Sequence, residues 1–276
     1  MDKRLLFMDL DGTLLNDSKE VTEGNRQALN RALERGHGVI IATGRPLGSA
    51  QQLAHRLELD RPGCYLIAYN GAVVFDWANR ETICSRMLPV DQVVRIFEEA
   101  NRRGIHVQTY DEHQVLVEPH CETPTLHRYC SVTGATYRVI GDVRRDLKEE
   151  PAKVLLMDFE DRTDLAGFRA WILEQMGTEV DCFFSAPRLL DVVSRGAGKG
   201  MALQLLCAAL GVDLKNAVAV GDAANDLSMI QAAGIGVAMA NGTEEVKAAA
   251  QYVTQRDNNH DGVAEVVNRF LGDPVN

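Results

Sequence analysis

Two aspartates near the start of the chain, Asp9 and Asp11, have the residue type and spacing for metal chemistry. They follow the uncharged run Leu5–Met8, which is typical of a buried parallel strand. Residues two apart on an extended backbone point the same way, so the two carboxylates repel each other unless a divalent cation binds them. Taken alone, the motif fits a strand end with an ordinary Asp-Gly turn at least equally well, so the case for chemistry depends on the rest of the chain.

Polar or acidic residues also follow three further predicted strands. These tips are Thr43-Gly44-Arg45, Asn70-Gly71, and Gly221-Asp222 through Asn225 and Asp226. Because the carboxyl ends of parallel strands meet at one edge of a sheet, we expect the tips to converge. Asp222 and Asp226 lie four apart at a helix start, so both can face the same site. Up to four carboxylates then come together, which are hard oxygen ligands suited to Mg²⁺.

An anion-binding side of the same site is indicated by Thr43, Gly44 and Lys199. The threonine hydroxyl and the N–H groups of the turn lie near a helix N-terminus, where anions bind. Lys199 follows a glycine-rich loop and adds a positive charge. The loop is not a Walker A motif, because Val193 occupies the first glycine position and Gly200 follows the lysine. Each residue alone fits a helix start without a ligand.

The elements that would position these residues follow from the pattern of strands and helices. Strands alternate with helices up to residue 84 and again from Lys199, which is typical of a doubly wound parallel sheet. Between them, predicted helices at 90–103 and 165–176 accompany paired strands, and a loop-rich segment runs to about residue 137. We predict an α/β fold with a Rossmann-like core sheet formed by residues 1–84 and 194–276, and an inserted α+β domain formed by residues 85–193.

Composition restricts the partners and the compartment. The net charge is −10 with a pI near 5.2 and no basic stripe is visible, which argues against nucleic acid as the main partner. No apolar run is long enough to span a bilayer and no signal peptide is visible, so a cytoplasmic location is expected. Six cysteines without a C-x-x-C pair fit free thiols. His120, Cys121, His127 and Cys130 match no common zinc pattern and are interpreted as loop and packing residues. A homo-oligomer is left open.

In combination, these residues resemble the four motifs of the haloacid-dehalogenase-like phosphatases. The motifs are Asp9-x-Asp11-Gly-Thr, Thr43-Gly44-Arg45, Lys199, and Gly221-Asp222-x-x-Asn225-Asp226. The stretches Asn70-Gly71-Ala72, 236–241 and 261–264 are similar to the Cof-type subfamily, and Ser185-Ala186-Pro187 resembles its bacterial sugar-phosphate phosphatase branch. The resemblance implies that the insert is a mobile cap of the C2 type. One departure is the sequence Gly196-Ala197-Gly198 before the lysine, which affects the expected loop geometry.

The resemblance also implies the role of each residue. Asp9 would attack the phosphoryl group and form an aspartyl-phosphate, and Asp11 would protonate the leaving oxygen and then activate water. Mg²⁺ would be bound by the Asp9 side chain, the Asp11 carbonyl and Asp222, with support from Asp226. Contacts with substrate phosphate oxygens are expected from Leu10, Thr43, Gly44, Arg45, Asn70, Lys199 and Asn225.

The implied function is Mg²⁺-dependent hydrolysis of a small phosphorylated metabolite, with a sugar phosphate as the first expectation. Flavin mononucleotide and pyridoxal phosphate are alternatives, because the residues of the insert decide the substrate. A phosphotransferase or phosphosugar mutase would use the same aspartyl-phosphate. A non-catalytic sugar-phosphate sensor is disfavoured, because Asp9, Asp11 and Lys199 are all present. A dinucleotide-binding module is excluded, because no G-x-G-x-x-G follows the first strand.

Overall fold

The chain forms two compact units in a computed structural model that describes residues 3–111, 114–160 and 162–272. The first unit comprises Met1–Gly44, Ala50–Cys84 and Gly198–Asn276, and the second comprises Arg45–Ser49 and Ser85–Ala197. Residues 45–49 and 194–197 therefore belong to the second unit, whereas the predicted division assigned them to the core domain. The action of the second unit as a cap stays a prediction.

The strands and helices have the following bounds along the chain. The strands are β1 (Leu5–Met8), β2 (Gly38–Ala42), β3 (Cys64–Ala68), β4 (Val73–Asp76), β5 (Glu81–Ser85), β6 (His106–Tyr110), β7 (Val115–Val117), β8 (Tyr137–Val139), β9 (Lys153–Met157), β10 (Val180–Ala186), β11 (Leu189–Ser194), β12 (Ala217–Gly221), β13 (Ile235–Ala238) and β14 (Tyr252–Val253). The helices are α1 (Glu23–Glu34), α2 (Leu47–Arg56), α3 (Val90–Arg103), α4 (Pro124–Thr133), α5 (Val143–Asp146), α6 (Leu165–Met176), α7 (Lys199–Ala209), α8 (Leu227–Ala232), α9 (Glu244–Ala249) and α10 (Gly262–Phe270).

The first unit is built on an eight-stranded sheet in the order β14-β13-β12-β1-β2-β3-β4-β5. The pairs from β14 through to β3 are parallel, whereas β4 is antiparallel to β3. The predicted α/β class with a parallel core sheet is confirmed. Strands β2 and β3 extend the sheet on one side of β1, and β12 and β13 extend it on the other, so the strand order reverses at β1. In α/β sheets, ligands bind at the carboxyl ends of strands at such a reversal.

The core of the first unit explains why β1 is entirely apolar. All four of its residues are buried. Leu5 and Phe7 pack in one cluster with Leu203 and Leu206 of α7, while α1 and α10 pack against each other and contact β2 and β12, respectively. Thr22 caps α1, since its side chain accepts a hydrogen bond from the Asn25 N–H. A strand whose side chains are all buried consists of apolar residues, so the first carboxylate appears only where the strand ends.

The second unit contains a six-stranded sheet in the order β10-β11-β9-β6-β7-β8. All its neighbouring pairs are antiparallel except β7 with β8, which is parallel. This arrangement confirms an α+β insert with its own, largely antiparallel sheet.

One part of the sequence-based assignment is wrong. The segment interpreted as loop up to about residue 137 contains α4, which begins at Pro124 and is followed by Gly134 with φ +70°. Its composition of Thr, His, Cys and Val has low helix propensity, and only Leu126 and Tyr129 are buried. The Tyr129 hydroxyl lies 2.8 Å from that of Tyr110, so tertiary packing stabilises a helix that its own sequence does not favour.

The cysteine and histidine residues of this segment do not assemble into a metal site within the described residues. His120 Nε2 contacts Asn101 Oδ1 at 2.7 Å and His127 Nε2 contacts the Tyr137 hydroxyl at 3.2 Å, and both histidines are exposed. His113 lies outside the described residues. Among the described residues, no helix combines the length and the apolar character that crossing a membrane requires.

Candidate active site

Asp9 is the first residue beyond β1, and the sheet holds its backbone in place. Its N–H donates to the Val220 carbonyl at 3.1 Å, which continues the pairing of β1 with β12. The residue is only 7% exposed. A carboxylate this deeply buried has to be compensated by a cation or a hydrogen bond.

Lys199 is the cation beside Asp9. It is the first residue of α7, lies 190 positions further along the chain, and its side chain is fully buried. Its Nζ lies 2.5 Å from Asp9 Oδ1 and 2.6 Å from Asp226 Oδ1. Gly71 lets α7 begin this close to the sheet edge, because a Cβ on Gly71, at φ +110°, would lie 2.3 Å from the Gly198 carbonyl carbon.

Asp222 follows β12 and completes the cluster of carboxylates. Asp9, Asp222 and Asp226 each offer an oxygen atom, and the three atoms lie within 4.8 Å of one another. The Thr13 hydroxyl donates to Asp222 Oδ1 at 2.8 Å. Gly12 allows the approach, because its φ is +87° and a Cβ there would lie 2.5 Å from Asp222 Oδ2.

Asp226 is fully buried and orients the other groups of the cluster. One oxygen contacts Lys199, and the other accepts hydrogen bonds from the N–H groups of Asp222 and Ala223 at 3.0 and 3.1 Å. The carboxylate therefore fixes both the lysine and the turn that carries Asp222.

The electrostatics of this cluster favour an additional positive charge. Burial raises the pKa of Asp9 well above its usual value, and the charges of Asp226 and Asp222 raise it further. The charge of Lys199 lowers this pKa but does not outweigh the other effects. Burial and then the charge of Asp226 raise the pKa of Asp222 to about 6. Burial opposes the charged form of Lys199, but Asp226 and Asp9 outweigh it and raise the pKa of the lysine. Two buried carboxylates, Asp9 and Asp226, and the partly buried Asp222 lie around one ammonium group, so a divalent cation fits the donor set.

The neighbouring strand ends contribute polar groups to the same sheet edge. Thr43 follows β2, is 2% exposed, and accepts a hydrogen bond through its carbonyl from the Asn70 N–H at 2.9 Å. Asn70 lies beyond β3 with φ +57° and is 1% exposed. Its Oδ1 accepts from Asn225 Nδ2 at 3.1 Å, whereas its buried Nδ2 has no hydrogen-bond partner. A Cβ on Gly44 would lie 3.0 Å from that Nδ2, so the glycine keeps the approach to this amide open.

Three of the predicted site residues differ from this group in exposure or in the unit to which they belong. Asp11 is on the surface side of the loop, with a side chain 40% exposed, and its Oδ1 lies 2.8 Å from Lys19 Nζ. The Leu10 side chain is fully buried, so only its backbone could contact a ligand. Arg45 belongs to the second unit.

Other residues of the site had no role assigned from the sequence. Thr13 is part of the Asp-Gly-Thr motif, and its contact with Asp222 becomes visible only in the folded chain. Asn241 donates from Nδ2 to the Gly12 carbonyl at 2.7 Å, and the only signal for it was a stretch typical of the Cof subfamily. Lys19 had no signal, since an exposed lysine in a loop follows no pattern.

Comparison with known proteins agrees with this geometry. The family model described as haloacid dehalogenase-like hydrolase matches residues 6–267. The 5-amino-6-(5-phospho-D-ribitylamino)uracil phosphatase YitU of Bacillus subtilis is 32% identical over 277 residues, covering 97% of each chain. The pyridoxal phosphate phosphatase YbhA of Escherichia coli is 30% identical over 277 residues, covering 98% of this chain and all of that one.

A solved structure gives the same result for the fold. A haloacid dehalogenase-like hydrolase from Bacteroides thetaiotaomicron is 32% identical to this chain and superposes with a TM-score of 0.86, covering 97% of this chain and 99% of that one. With its sheet reversal, its aspartate cluster and these similarities, the protein belongs to the family of haloacid dehalogenase-like hydrolases.

Proposed function

We propose that the protein is a Mg²⁺-dependent phosphatase of a small phosphorylated metabolite that works through an aspartyl-phosphate on Asp9. The observation that carries the proposal is the contact of Asp9 with Lys199 inside the three-carboxylate cluster. A carboxylate can attack a phosphate dianion only where fixed positive charge offsets their repulsion. Lys199 supplies one such charge, and the donor set of Asp9, Asp222 and Asp226 suits a second.

Asp9 is the nucleophile in this scheme. An oxygen of Asp9 forms a bond to phosphorus while the bond from phosphorus to the leaving oxygen breaks. Asp11 gives its proton to that leaving oxygen, and then takes a proton from the water that attacks phosphorus and releases Asp9. Lys199 stays beside Asp9 throughout and contacts the negative charge that develops on the transferring oxygens.

Asp9, the backbone carbonyl of Asp11, Asp222 and Asp226 are the groups that would hold Mg²⁺ in the proposed enzyme. When bound, the ion supplies charge neutralisation between the nucleophile and the phosphoryl group. Asp226 already binds Lys199 and the turn at Asp222, so its main contribution is to orient the other groups. Thr13 orients Asp222 through its hydroxyl.

The buried amide of Asn70 supports a phosphate contact at the same edge. Its unpartnered Nδ2 is a hydrogen-bond donor that costs free energy unless a ligand accepts from it. Asn225 holds the other end of this amide, which fixes the direction of the Nδ2 group. Thr43, Gly44 and the Leu10 backbone complete the proposed set, together with Arg45, which belongs to the second unit.

A sugar phosphate is the substrate class that we propose, selected by the second unit acting as a C2 cap. Pyridoxal phosphate is a second candidate, because the relative YbhA is named for that activity. The site residues treat both esters alike, so they do not discriminate between them. A phosphosugar mutase would differ in its acceptor, because a sugar hydroxyl would replace water. The proposed enzyme is cytoplasmic, acts on a small molecule and not on nucleic acid, and its oligomeric state is open.

The test is phosphate release from a panel of sugar phosphates, pyridoxal phosphate and flavin mononucleotide, with Mg²⁺ and with EDTA. We expect turnover of at least one ester with Mg²⁺ and none with EDTA. Asp9→Asn keeps the size of the side chain and should abolish turnover, with the fold checked by circular dichroism. Hydrolysis by that variant at more than a few per cent of the wild-type rate would remove Asp9 as nucleophile, and activity in EDTA would remove the metal.

A further inference from the structure

The turn that follows β13, formed by residues 239–243, contacts both loops that carry the acidic cluster. Asn241 Nδ2 donates to the Gly12 carbonyl at 2.7 Å, in the loop after β1. Two residues further along, the Thr243 N–H donates to the Asp222 carbonyl at 2.9 Å, in the loop after β12. One turn therefore links the two loops to each other.

The backbone of this turn lies directly against Asp222. The turn closes through the Gly242 N–H, which donates to the Met239 carbonyl at 2.8 Å. A Cβ on Gly242 would lie 2.9 Å from the Met239 carbonyl oxygen and 3.3 Å from Asp222 Cα, so the turn has no room to shift towards that residue. The Asn241 side chain therefore extends from a fixed point towards the first loop.

The amide group of Asn241 is oriented at both ends. Its Oδ1 accepts from the Asn258 N–H at 3.2 Å, and its Nδ2 donates to the Gly12 carbonyl. Asn258 is buried and is itself anchored, because its Nδ2 donates to the Leu15 carbonyl at 3.0 Å. A side chain at position 241 has to accept at one end and donate at the other, which an amide does and a carboxylate does not.

The Gly12 carbonyl is an effective point at which to hold the first loop. Glycine has the most freely rotating backbone of any residue, and Gly12 has a φ of +87°. Its carbonyl lies in the planar peptide unit that leads to Thr13, whose hydroxyl donates to Asp222 Oδ1 at 2.8 Å. The preceding peptide unit carries the carbonyl of Asp11. Asn241 therefore restricts the backbone on both sides of Gly12.

We propose that Asn241 is a positioning residue that sets the separation of the two loops, and through it the preference of the cation site for Mg²⁺ over the larger Ca²⁺. This inference rests on the proposed function, in which Asp9, the Asp11 carbonyl and Asp222 hold Mg²⁺. Mg²⁺ requires octahedral ligands at about 2.1 Å, whereas Ca²⁺ accepts oxygens at about 2.3 to 2.6 Å in variable geometry. Loops that can move apart therefore lose affinity for Mg²⁺ more than for Ca²⁺.

The test measures cation binding directly on the full chain. The rise in melting temperature with cation concentration, relative to EDTA, gives the Kd of each ion. In Asn241→Ala we expect the Kd for Mg²⁺ to rise about tenfold and that for Ca²⁺ to rise less than about threefold. The melting temperature in EDTA is the baseline for each variant, so a general loss of stability does not alter the comparison of the two ions.

A second variant and a control complete the design. Asn241→Asp keeps the size of the side chain and the acceptor for Asn258, but it cannot donate to Gly12. Its added charge attracts both ions, so the readout is the ratio of the Kd for Ca²⁺ to that for Mg²⁺, which should fall as in Asn241→Ala. Asn259→Ala removes another exposed amide from the same loop, with Nδ2 3.2 Å from Asp17 Oδ2, and should leave both Kd values unchanged.

The outcomes separate this inference from the function on which it rests. Equal increases of both Kd values in Asn241→Ala, or an unchanged Kd for Mg²⁺, would overturn the positioning role while the metal site stands. If the melting temperature of the wild-type protein does not rise with Mg²⁺, the proposed function fails, and the role of Asn241 fails with it.

Discussion

Two lysine–aspartate contacts at the same sheet edge differ in burial, and this difference determines what is lost when each contact is broken. The side chains of Lys199 and Asp9 are 0% and 9% exposed, and Asp226 completes their contact from a fully buried position. Lys19 and Asp11 are 54% and 40% exposed. In the buried contact every charge has been removed from water, so losing one partner leaves the others uncompensated. In the exposed contact, water replaces a lost partner, so breaking the contact changes the orientation of the remaining side chain and costs little free energy.

The comparison also explains how the two aspartates of one motif can have different roles. Asp9 lies at the end of a buried strand among fixed charges, which suits a nucleophile that must not move. Asp11 lies two residues further on, at the surface, where it can exchange protons with a leaving oxygen and with water. The sharp turn at Gly12 follows directly and brings Thr13 back to Asp222.

The largest effect is expected when the buried contact is broken. Lys199→Met removes the charge and keeps most of the volume, leaving Asp9 and Asp226 buried without their cation. We expect phosphate release to fall at least about 10²-fold, and the free energy of unfolding in EDTA to fall by about 3 kcal/mol. Steady-state kinetics and urea unfolding measure the two quantities. Activity within tenfold of wild type would show that Lys199 is not part of the charge balance.

A smaller effect is expected from pH in the metal-free protein. The pKa of Asp222 is raised to about 6 in the folded chain, so the folded state binds this proton more tightly than the unfolded state does. Stability from this group is present at low pH and is lost as pH rises from about 4 to about 6, by about 2 kcal/mol. The readout is thermal unfolding in EDTA at pH 4.5 and 7, compared with Asp222→Asn.

Carboxyl groups outside the cluster contribute equally in the wild-type protein and in Asp222→Asn. The difference between the two proteins therefore reports Asp222 together with its effect on Asp9. Glu99, for example, has its pKa lowered to about 2 by its hydrogen bond to Arg102, and its contribution has the opposite sign. We expect the wild-type protein to lose more stability than Asp222→Asn between the two pH values. Parallel pH dependence in both proteins would contradict the raised pKa.

The smallest change in stability is expected at the exposed contact. Lys19→Gly removes the ion pair and also the Cβ that is strained at φ +62°. Relief of that strain outweighs both the weak ion pair and the added freedom of the unfolded chain, so we expect stability to change by less than about 1 kcal/mol, towards greater stability. Urea unfolding measures it, with Lys215→Gly as the control. A loss of more than about 2 kcal/mol would show that the contact is structural.

The buried part of the site was predictable from the sequence for a physical reason. Asp9, Thr43, Asn70 and Asp222 each follow an apolar run, and the rule that parallel strands end at one edge brings them together. The structure places them there. Lys199 lies 190 positions from Asp9, and its position after a glycine-rich loop predicted only a charge near the same anion. Its contact with Asp9 becomes visible in the folded chain.

The exposed part was not predictable in the same way. The contact of Lys19 with Asp11 depends on one backbone torsion and on anchors at Asn258 and Asn259, more than 200 positions away. Polar residues in loops have no periodicity that reveals their partners. Helix α4 was missed for a related reason, because its stability comes from the contact of Tyr129 with Tyr110 and not from its own composition.

The central claim is that Asp9 becomes phosphorylated during turnover. The direct measurement is an acid quench of the enzyme while it hydrolyses its best substrate, followed by borohydride reduction and mass spectrometry of the peptide that contains Asp9. Reduction converts an aspartyl-phosphate to homoserine and leaves a free carboxylate unchanged. We predict homoserine at position 9, and aspartate unchanged at position 11. An unmodified Asp9 under conditions of active turnover and verified trapping, or homoserine at position 11 instead, would contradict the account.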